Sequence, residues 1–200
     1  MKHKSTRITI LLGLLALAGI FFAADFNLSR SQTTSEHRLI TYHLGDGPLT
    51  PVPDGQRLTV AVAGEHAFAA KLRQALLAEL TSSNLSGSGT WQVTADTDSN
   101  NVHLLVQIDN NETFWTPVYA QATLSARLAH ASDGDLSWHG TSPVVMESDD
   151  DAFTLRADGE FQLRDRSGGL LSRPAYQRLL AESMATEIVQ RLESSYTQIQ

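Results

Sequence analysis

Cysteine is absent from this chain of 200 residues, and its absence excludes several kinds of chemistry. Without a thiol the protein forms no disulfide bond, binds no metal through thiolate sulfur and uses no cysteine nucleophile. Proline is also scarce, with six in the chain. The roughly 175 residues that follow the first two dozen have the length of one domain, which can bury a core large enough to be stable without covalent staples.

Basic residues are also in short supply. The chain carries 15 lysines and arginines against 22 acidic residues, which gives a formal net charge of −7. Lys2, Lys4 and Arg7 lie in the first 24 residues and no acid precedes Asp25, so the remainder is more acidic still. A protein that binds nucleic acid needs a basic surface, so this balance predicts no nucleic-acid partner. The same balance argues against electrostatic attraction to anionic lipid headgroups.

One long hydrophobic run is present, at the amino terminus. Ile8–Ala24 holds 17 uncharged residues, follows the basic residues and ends at Asp25. This layout is typical of a signal peptide, and the run is also just long enough to span a bilayer. Residues 1–24 are therefore predicted to be a signal peptide or a signal anchor, with the carboxyl side carried out of the cytoplasm. A buried helix of the domain is the third alternative.

The sequence leaves cleavage of this segment open. Residues 16–18 match an A-x-A cleavage site, but a cut there leaves apolar residues behind. A cut after Ala24 places the large Phe22 where a small residue is preferred. Residues 17–19 also match the start of a lipoprotein lipobox, whose next residue must be cysteine. Ile20 stands at that position, which excludes lipidation at this site.

Residues 25–57 are predicted to be a linker, because their polar and proline-rich stretches lack a hydrophobic period. Within them, Leu39–Tyr42 is predicted to be a short edge strand. Residues 58–200 then form the domain. Apolar residues recur four positions apart in Glu65–Ser82 and in Ser172–Tyr196, which is typical of amphipathic helices.

Apolar or alternating stretches between these helices predict the strands Leu58–Ala63, Thr90–Thr94, Val102–Ile108 and Val118–Leu128. Turn residues after the last stretch predict a β-hairpin over Tyr119–Gly140. Asp158-Gly159 would allow a second hairpin within residues 152–165, which the sequence leaves open. The predicted fold is α+β: a two-layer sandwich with a mostly antiparallel sheet of about four to six strands and both helices on one face. The N-terminal hydrophobic helix precedes it.

No pattern of catalytic or metal-binding residues stands out. His130 and His139 lie on either side of the predicted turn, but two histidines without a third ligand make a weak zinc pattern. The acidic stretch Glu147–Asp151 lacks the spacing of a calcium loop, and residues 86–89 are neither a phosphate loop nor a nucleophile elbow. An enzyme would need a site assembled from His103, His130 and His139. The sequence therefore predicts no cofactor and no enzymatic activity.

Large aromatic residues gather around the predicted hairpin. We predict that Phe114, Trp115, Tyr119 and Trp138 form a partner-docking site, because aromatic side chains dominate the energetics of protein interfaces. The alternative is that these rings fill the core between the sheet and the helices.

A pattern of strands and helices with one aromatic turn runs through residues 58–196. Its segments are Leu58–Val62, Ala69–Leu80, Val118–Leu128, Asp133–Gly140 and Leu179–Leu192. This pattern resembles small bacterial cell-envelope proteins such as lipopolysaccharide-assembly lipoproteins, auxiliary lipoproteins of ABC transporters and activators of penicillin-binding proteins. The resemblance implies a non-enzymatic accessory protein that binds an envelope partner belonging to an assembly or transport machine.

The missing lipobox cysteine is a departure from that group. It favours an anchor in the inner membrane through residues 8–24, with the domain in the periplasm. The alternative reading is a soluble periplasmic or secreted protein, released by signal cleavage, that binds a lipid or a small ligand.

Overall fold

The computed structural model describes residues 13, 19–44, 57–64, 67–83, 85, 90–94, 102–136 and 154–197. The strands in these ranges are β1 (Asn27–Leu44), β2 (Arg57–Ala63), β3 (Thr90–Val93), β4 (Leu104–Thr116), β5 (Tyr119–Ala131) and β6 (Thr154–Leu171). Two long helices accompany them, α1 (Ala67–Ser82) and α2 (Arg173–Thr197). The predicted α+β class is confirmed, and both predicted helices begin within two residues of the observed ones.

The six strands join one mixed sheet in the order β1-β6-β5-β4-β2-β3. Neighbours from β1 to β4 pair antiparallel, whereas β2 lies parallel to both β4 and β3. Parallel neighbours need a crossover connection, and α1 supplies the one between β2 and β3. At the other edge, β1 pairs with β6 along all 18 of its residues, from Asn27 opposite Leu171 to Leu44 opposite Thr154.

The main core lies between the sheet and the two helices, which share one cluster of buried side chains and contact each other. In α1 an apolar residue recurs every four positions from Phe68 to Leu80, so these side chains form one buried stripe. In β5 every second residue from Ala120 to Leu128 enters the same cluster. The periods of the helix and the strand therefore direct their apolar sides toward each other.

The two ends of the sheet differ, and we name them by the strands that meet there. At the near end β1 begins, β6 ends and β4 turns into β5. At the far end β5 ends and β6 begins. A second, smaller core lies at the far end, and Leu105 packs against it. Its members are Ala61, Val102, Ala129, Ala131 and Leu136.

Residues 27–44 form a strand, which corrects the predicted linker over residues 25–57. The predicted edge strand Leu39–Tyr42 is the last part of this longer edge strand, and residues 45–56 lie outside the described ranges. Prediction missed β1 because most of its side chains are polar, so no apolar alternation marks it.

Hydroxyl groups and a glycine support the backbone pairing of β1 with β6 where apolar side chains are lacking. Thr33 Oγ1 donates a hydrogen bond of 2.7 Å to the buried carboxylate of Asp165. Gly159 lets the two backbones come close, because a Cβ at this position would lie 2.7 Å from Leu39 Cδ1 and 2.9 Å from the carbonyl oxygen of Arg38. These contacts need short side chains, which give little hydrophobic signal in the sequence.

The predicted hairpin over Tyr119–Gly140 is wrong, and the second hairpin, which the sequence left open, does not turn at Asp158-Gly159. β5 is flanked by β4 on one side and β6 on the other, so both of its edges are paired and Leu136 does not begin a return strand. Leu136 packs instead into the smaller core, and residues 137–153 lie outside the described ranges. Asp158-Gly159 lies inside β6, which continues without a break from Thr154 to Leu171.

Part of the predicted N-terminal hydrophobic helix is described, since residues 19–23 are helical. Among the described residues, no helix has both the length and the hydrophobicity needed to cross a membrane. Most of residues 1–18 lie outside the described ranges, so the signal peptide or anchor stays a prediction.

Candidate docking surface

Exposed apolar side chains meet at the near end of the sheet. Leu28 in β1 is 76% exposed and lies directly opposite Leu170 in β6, which is 45% exposed. Val118, in the turn between β4 and β5, is 61% exposed, and its carbonyl oxygen accepts a hydrogen bond of 3.0 Å from the amide of Gly169. Phe22, in the helical residues before β1, is 55% exposed. We call Phe22, Leu28, Val118 and Leu170 the terminal rim.

A glycine in β6 makes this arrangement possible. Gly169 has a φ of +120°, a conformation that side-chain-bearing residues rarely adopt. A Cβ at this position would also lie 2.8 Å from the carbonyl oxygen of Leu28. Beyond Gly169 the strand places Leu170 on the exposed side and Leu171 in the core. The glycine therefore lets β1 stay paired up to the point where the rim begins.

The predicted docking residues divide between the two faces of the sheet. Phe114 and Tyr119 are both exposed on the face opposite the helices, and their ring centres lie 6.4 Å apart. We call them the aromatic pair. Trp115 lies on the helix side, where its Nε1–H donates a hydrogen bond of 3.2 Å to the carbonyl oxygen of Leu171. Trp115 therefore has a partly structural role, in line with the alternative that the aromatic rings fill the core between the sheet and the helices.

The chain before β1 is fixed against the start of α2. The amide of Phe26 donates to Ser172 Oγ (3.1 Å), and its carbonyl oxygen accepts from the Ser172 amide (3.0 Å). Asp25 forms an ion pair with Arg178. The ring of Phe21 lies 5.2 Å from that of Phe26. The hydrophobic N-terminal segment therefore meets the domain at the near end, beside the terminal rim.

The sheet face opposite the helices is hollow and polar. A trough of about 750 Å³ crosses β1, β6, β5 and β4. Its polar lining comes from Gln32, Thr34, Glu112, Gln121, Thr123, Arg164 and Arg166, with Phe114 beside them. A second depression of about 460 Å³ adjoins it toward the far end, near Arg38, Asp109 and Glu160. Neither α1 nor α2 covers this face.

Positive charge is concentrated at the near end. The segments that meet there are residues 25–34, 112–123 and 164–178. Their arginines are Arg30, Arg164, Arg166, Arg173 and Arg178. They hold three carboxylates, of which Asp25 is paired with Arg178, Asp165 is buried and Glu112 is exposed. The acidic balance of the whole chain therefore does not describe this end.

The far end holds two buried histidines. His130 Nδ1 lies 2.7 Å from the carbonyl oxygen of His103, so this ring nitrogen carries a hydrogen and donates it. His103 Nδ1 accepts the amide hydrogen of Thr59 at 3.2 Å. Burial lowers the pKa of His130 to about 4 and also lowers the pKa of His103, because desolvation disfavours the charged imidazolium. Both rings are therefore neutral at physiological pH.

These histidines pack under the turn that follows β5. A Cβ on Gly134, which has a φ of +78°, would lie 2.9 Å from Cε1 of His103, so the turn backbone rests on the ring. Asp133 and Asp135 in the same turn both form ion pairs with Arg156. Within the described ranges, no group of three or more histidine, aspartate and glutamate side chains is placed to hold a metal ion. His139 lies outside those ranges.

A second buried polar cluster lies between β6 and α2. Asp165 accepts hydrogen bonds from the hydroxyls of Thr33 and Ser167, at 2.7 and 2.8 Å. Tyr176 in α2 is fully buried nearby. Burial, and then the Asp165 carboxylate, raise the pKa of the Tyr176 phenol, so it stays neutral. The hydroxyl contacts attach the edge strand to the domain.

Comparison with known proteins identifies no family. The sequence matches no protein-family model and no curated protein. Among solved structures, a PelC dodecamer from Paraburkholderia phytofirmans is similar at 13% identity, over 77% of this chain and 94% of that one, with a TM-score of 0.38. A leucine-to-methionine variant of the PelC dodecamer is similar at 14% identity, over 78% of this chain and 98% of that one, with a TM-score of 0.33. Similarity at this level establishes neither family nor function.

No residue of the terminal rim was predicted from the sequence, whereas Phe114 and Tyr119 were; the structure shows that both are exposed, and their part in docking stays a prediction. Leu28 stands alone in a polar stretch and Leu170 follows two glycines, so neither belongs to a visible apolar pattern. Only the strand register brings them together. Trp138, the fourth predicted docking residue, lies outside the described ranges, so its part in docking stays a prediction.

Proposed function

We propose that this chain is a non-enzymatic accessory protein of the bacterial cell envelope. Residues 8–24 hold it in the inner membrane, and the domain lies in the periplasm. The domain binds a protein partner that belongs to an assembly or transport machine. The observation that carries this proposal is the exposed aromatic pair, Phe114 and Tyr119, beside a hollow sheet face that neither helix covers.

The composition of this surface supports a protein partner. Protein interfaces are enriched in aromatic residues and arginine and surrounded by polar groups. Here the aromatic pair adjoins Gln121, whose Oε1 accepts a hydrogen bond from the Tyr119 hydroxyl (3.1 Å), and the trough contains Arg164 and Arg166. The rings stand on paired strands, so little conformational freedom would be lost on binding.

A free binding protein for a lipid or small ligand is the second candidate function. A cleft of about 530 Å³ lies between α2 and the near end of the sheet, and its lining includes Phe22, Phe68, Trp115 and Tyr176. Its lining also includes the polar side chains of Asn111, Thr113, Arg173 and Gln177, and concave sites of this size suit small ligands. This candidate requires cleavage of the N-terminal segment, and a cut after Ala24 would remove Phe22 from the cleft.

In-cell photocrosslinking tests the first candidate against the second. A photoreactive phenylalanine analogue replaces Phe114 or Tyr119 in the full chain, and a control chain carries it at the exposed Gln190 of α2. We expect one defined envelope protein to crosslink from positions 114 and 119 but not from 190. Changing Tyr119→Ser should weaken the crosslink from position 114, because the pair acts as one surface.

The mass of the mature chain is measured in the same preparation. An intact N terminus together with a crosslink that depends on the aromatic pair supports the accessory function. A chain cut near residue 24, without a crosslink from either position, contradicts it and favours the ligand-binding alternative, which lipid extraction and mass spectrometry of the purified chain would then check.

A further inference from the structure

The terminal rim is unusual because several exposed apolar side chains are grouped in one place. Single exposed apolar residues are common on protein surfaces and need no explanation. Here Leu28, Val118 and Leu170 lie together at one end of the sheet, and Leu28 and Leu170 are direct cross-strand neighbours. Phe22 lies at the same end but on the helix side, where its ring centre is 5.2 Å from that of Trp115. All four lie at or beyond the last strand pairs at the near end, so they form the extreme edge of the domain. Tyr119 of the aromatic pair borders the rim, since it follows Val118 and pairs with Gly168, whereas Phe114 pairs with Gln121, further along the sheet face.

The position of the hydrophobic N-terminal run identifies what this edge faces. The run ends at Ala24, and Asn27 already starts β1. Hydrogen bonds from Phe26 to Ser172 and the ion pair of Asp25 with Arg178 allow this junction little movement. A membrane that holds residues 8–24 therefore lies against the rim, within the length of two or three residues.

The charges around the rim complement an anionic surface. Arg30 lies opposite Gly168, two residues from Leu28, and its side chain is exposed. Arg173 starts α2 beside the rim and is exposed too. Guanidinium groups bind phosphates through paired hydrogen bonds, so these side chains fit phospholipid headgroups. At the far end, by contrast, the described carboxylates of Asp133 and Asp135 form ion pairs with Arg156.

We propose that the terminal rim inserts into the membrane surface, with Phe22, Leu28, Val118 and Leu170 at the boundary of headgroups and acyl chains and with Arg30 and Arg173 on lipid phosphates. The occupant of this surface is an anionic bilayer, and the protein partner is left to the aromatic pair and the trough. This inference rests on the proposed membrane tether. It fixes the orientation of the domain, with the near end in the lipid and the far end pointing away.

The absence of cysteine makes a direct test simple. Single cysteines replace Leu28, Val118 or Leu170 in the full chain, and each carries a nitroxide spin label. Control labels stand at Leu14 within the hydrophobic run and at the exposed Val93 and Gln190. The chains are reconstituted into vesicles of three parts phosphatidylethanolamine and one part phosphatidylglycerol. Electron paramagnetic resonance then measures how oxygen and a water-soluble nickel complex reach each label.

We expect the rim labels to be accessible to oxygen and protected from nickel, at a depth of roughly 5–10 Å as for interfacial segments. Val93 and Gln190 should stay accessible to nickel. Arg30→Gln and Arg173→Gln should each reduce the ratio of inserted to free rim by about fivefold. Arg191→Gln, remote from the rim on the same helix as Arg173, should leave it unchanged.

Nickel accessibility at the rim equal to that at Val93, with Leu14 still protected, overturns the rim proposal and leaves the tether intact. Protection of the rim only in cells, and not in these purified vesicles, also overturns it in favour of a protein occupant. If Leu14 itself is exposed to nickel, the tether fails and the rim proposal fails with it.

Discussion

The two ends of the sheet differ in how their faces are covered, although β5 and β6 run from one end to the other. At the far end both faces are covered: the main core lies on one side, and a small core with Leu136 lies on the other. His103 and His130 are buried there, and Asp133 and Asp135 form ion pairs with Arg156. At the near end only the helix side is covered, and leucine, valine and phenylalanine side chains point outward. Among the described residues, the protein covers both faces of the sheet at the far end, whereas at the near end it leaves the apolar side chains that we propose enter the membrane surface.

The contrast between an exposed and a covered environment also holds for two adjacent positions in β6. Leu170 and Leu171 are neighbours of identical type, yet one is exposed and the other fully buried. Substitutions can test that separation, first at the near end and then at the far end. Free energies of unfolding refer to urea titrations of the full chain in mild detergent, followed by circular dichroism.

The largest effect is expected from Leu171→Ala. Leu171 is fully buried in the main core, so truncation leaves a cavity and should lower the free energy of unfolding by roughly 3 kcal/mol. The matched change Leu170→Ala should cost less than about 1 kcal/mol, because this side chain is already half in solvent. Equal losses for the two variants would show that the rim is part of the folded core and would remove the contrast within this strand.

Gly169→Ala should follow closely. The left-handed backbone and the contact with the Leu28 carbonyl both oppose a side chain, so we expect a loss of at least about 2 kcal/mol. Gly168→Ala is the matched control, since a Cβ there meets no atom within 4 Å. It should be neutral or stabilising by up to about 1 kcal/mol. A tolerated Gly169→Ala would mean that β1 is not held against β6 at the near end.

The far end should respond to acid. The folded state lowers the pKa of His130 to about 4, whereas an unfolded histidine titrates near 6.5. Folding therefore favours the neutral ring: its stabilisation is complete above about pH 6.5 and is lost as the pH falls toward 4. We expect the free energy of unfolding to fall by roughly 2 kcal/mol between about pH 7.5 and pH 5.

His130→Asn should flatten most of this pH dependence, because the asparagine amide does not titrate. Leu170→Ala, at the opposite end, should keep the full slope. A wild-type profile that is flat between these pH values would contradict the burial of the imidazole.

The smallest of these effects concerns Trp115. Trp115→Phe removes the hydrogen bond to the Leu171 carbonyl and should cost about 1 kcal/mol in the same titration. The variant should still give the partner crosslink from position 114, since the indole lies on the helix side. Loss of that crosslink with unchanged stability would place Trp115 in the docking surface instead.

Elements that carry a hydrophobic period were predicted from the sequence. Features that depend on the register between strands were missed. The stripe from Phe68 to Leu80 can be read along the chain, because helix geometry alone places these residues on one face. β1 could not be read in this way, since its pairing depends on hydroxyl contacts such as Thr33 with Asp165. Asp158-Gly159 has the composition of a turn, but its glycine is needed for the close approach of β1.

The candidate surfaces show the same division. Phe114 and Tyr119 were predicted because large aromatic residues are visible in any sequence. Leu28 and Leu170 meet only after β1 and β6 have paired, so no local pattern could have connected them. Single exposed leucines carry information only when the fold brings them together.

The pairing of β1 from Asn27 onward also has a mechanical consequence. If residues 8–24 are held in a membrane as proposed, only Asp25 and Phe26 separate them from an 18-residue strand, which is about 60 Å long at the usual rise per residue. The domain would then keep a fixed orientation relative to the bilayer, because no flexible linker joins it to the membrane segment. A force applied by a bound partner would then act parallel to β1. The hydrogen bonds between β1 and β6 would resist it together, in shear. The distance from the membrane to the far end of the domain would therefore be set by the length of β1.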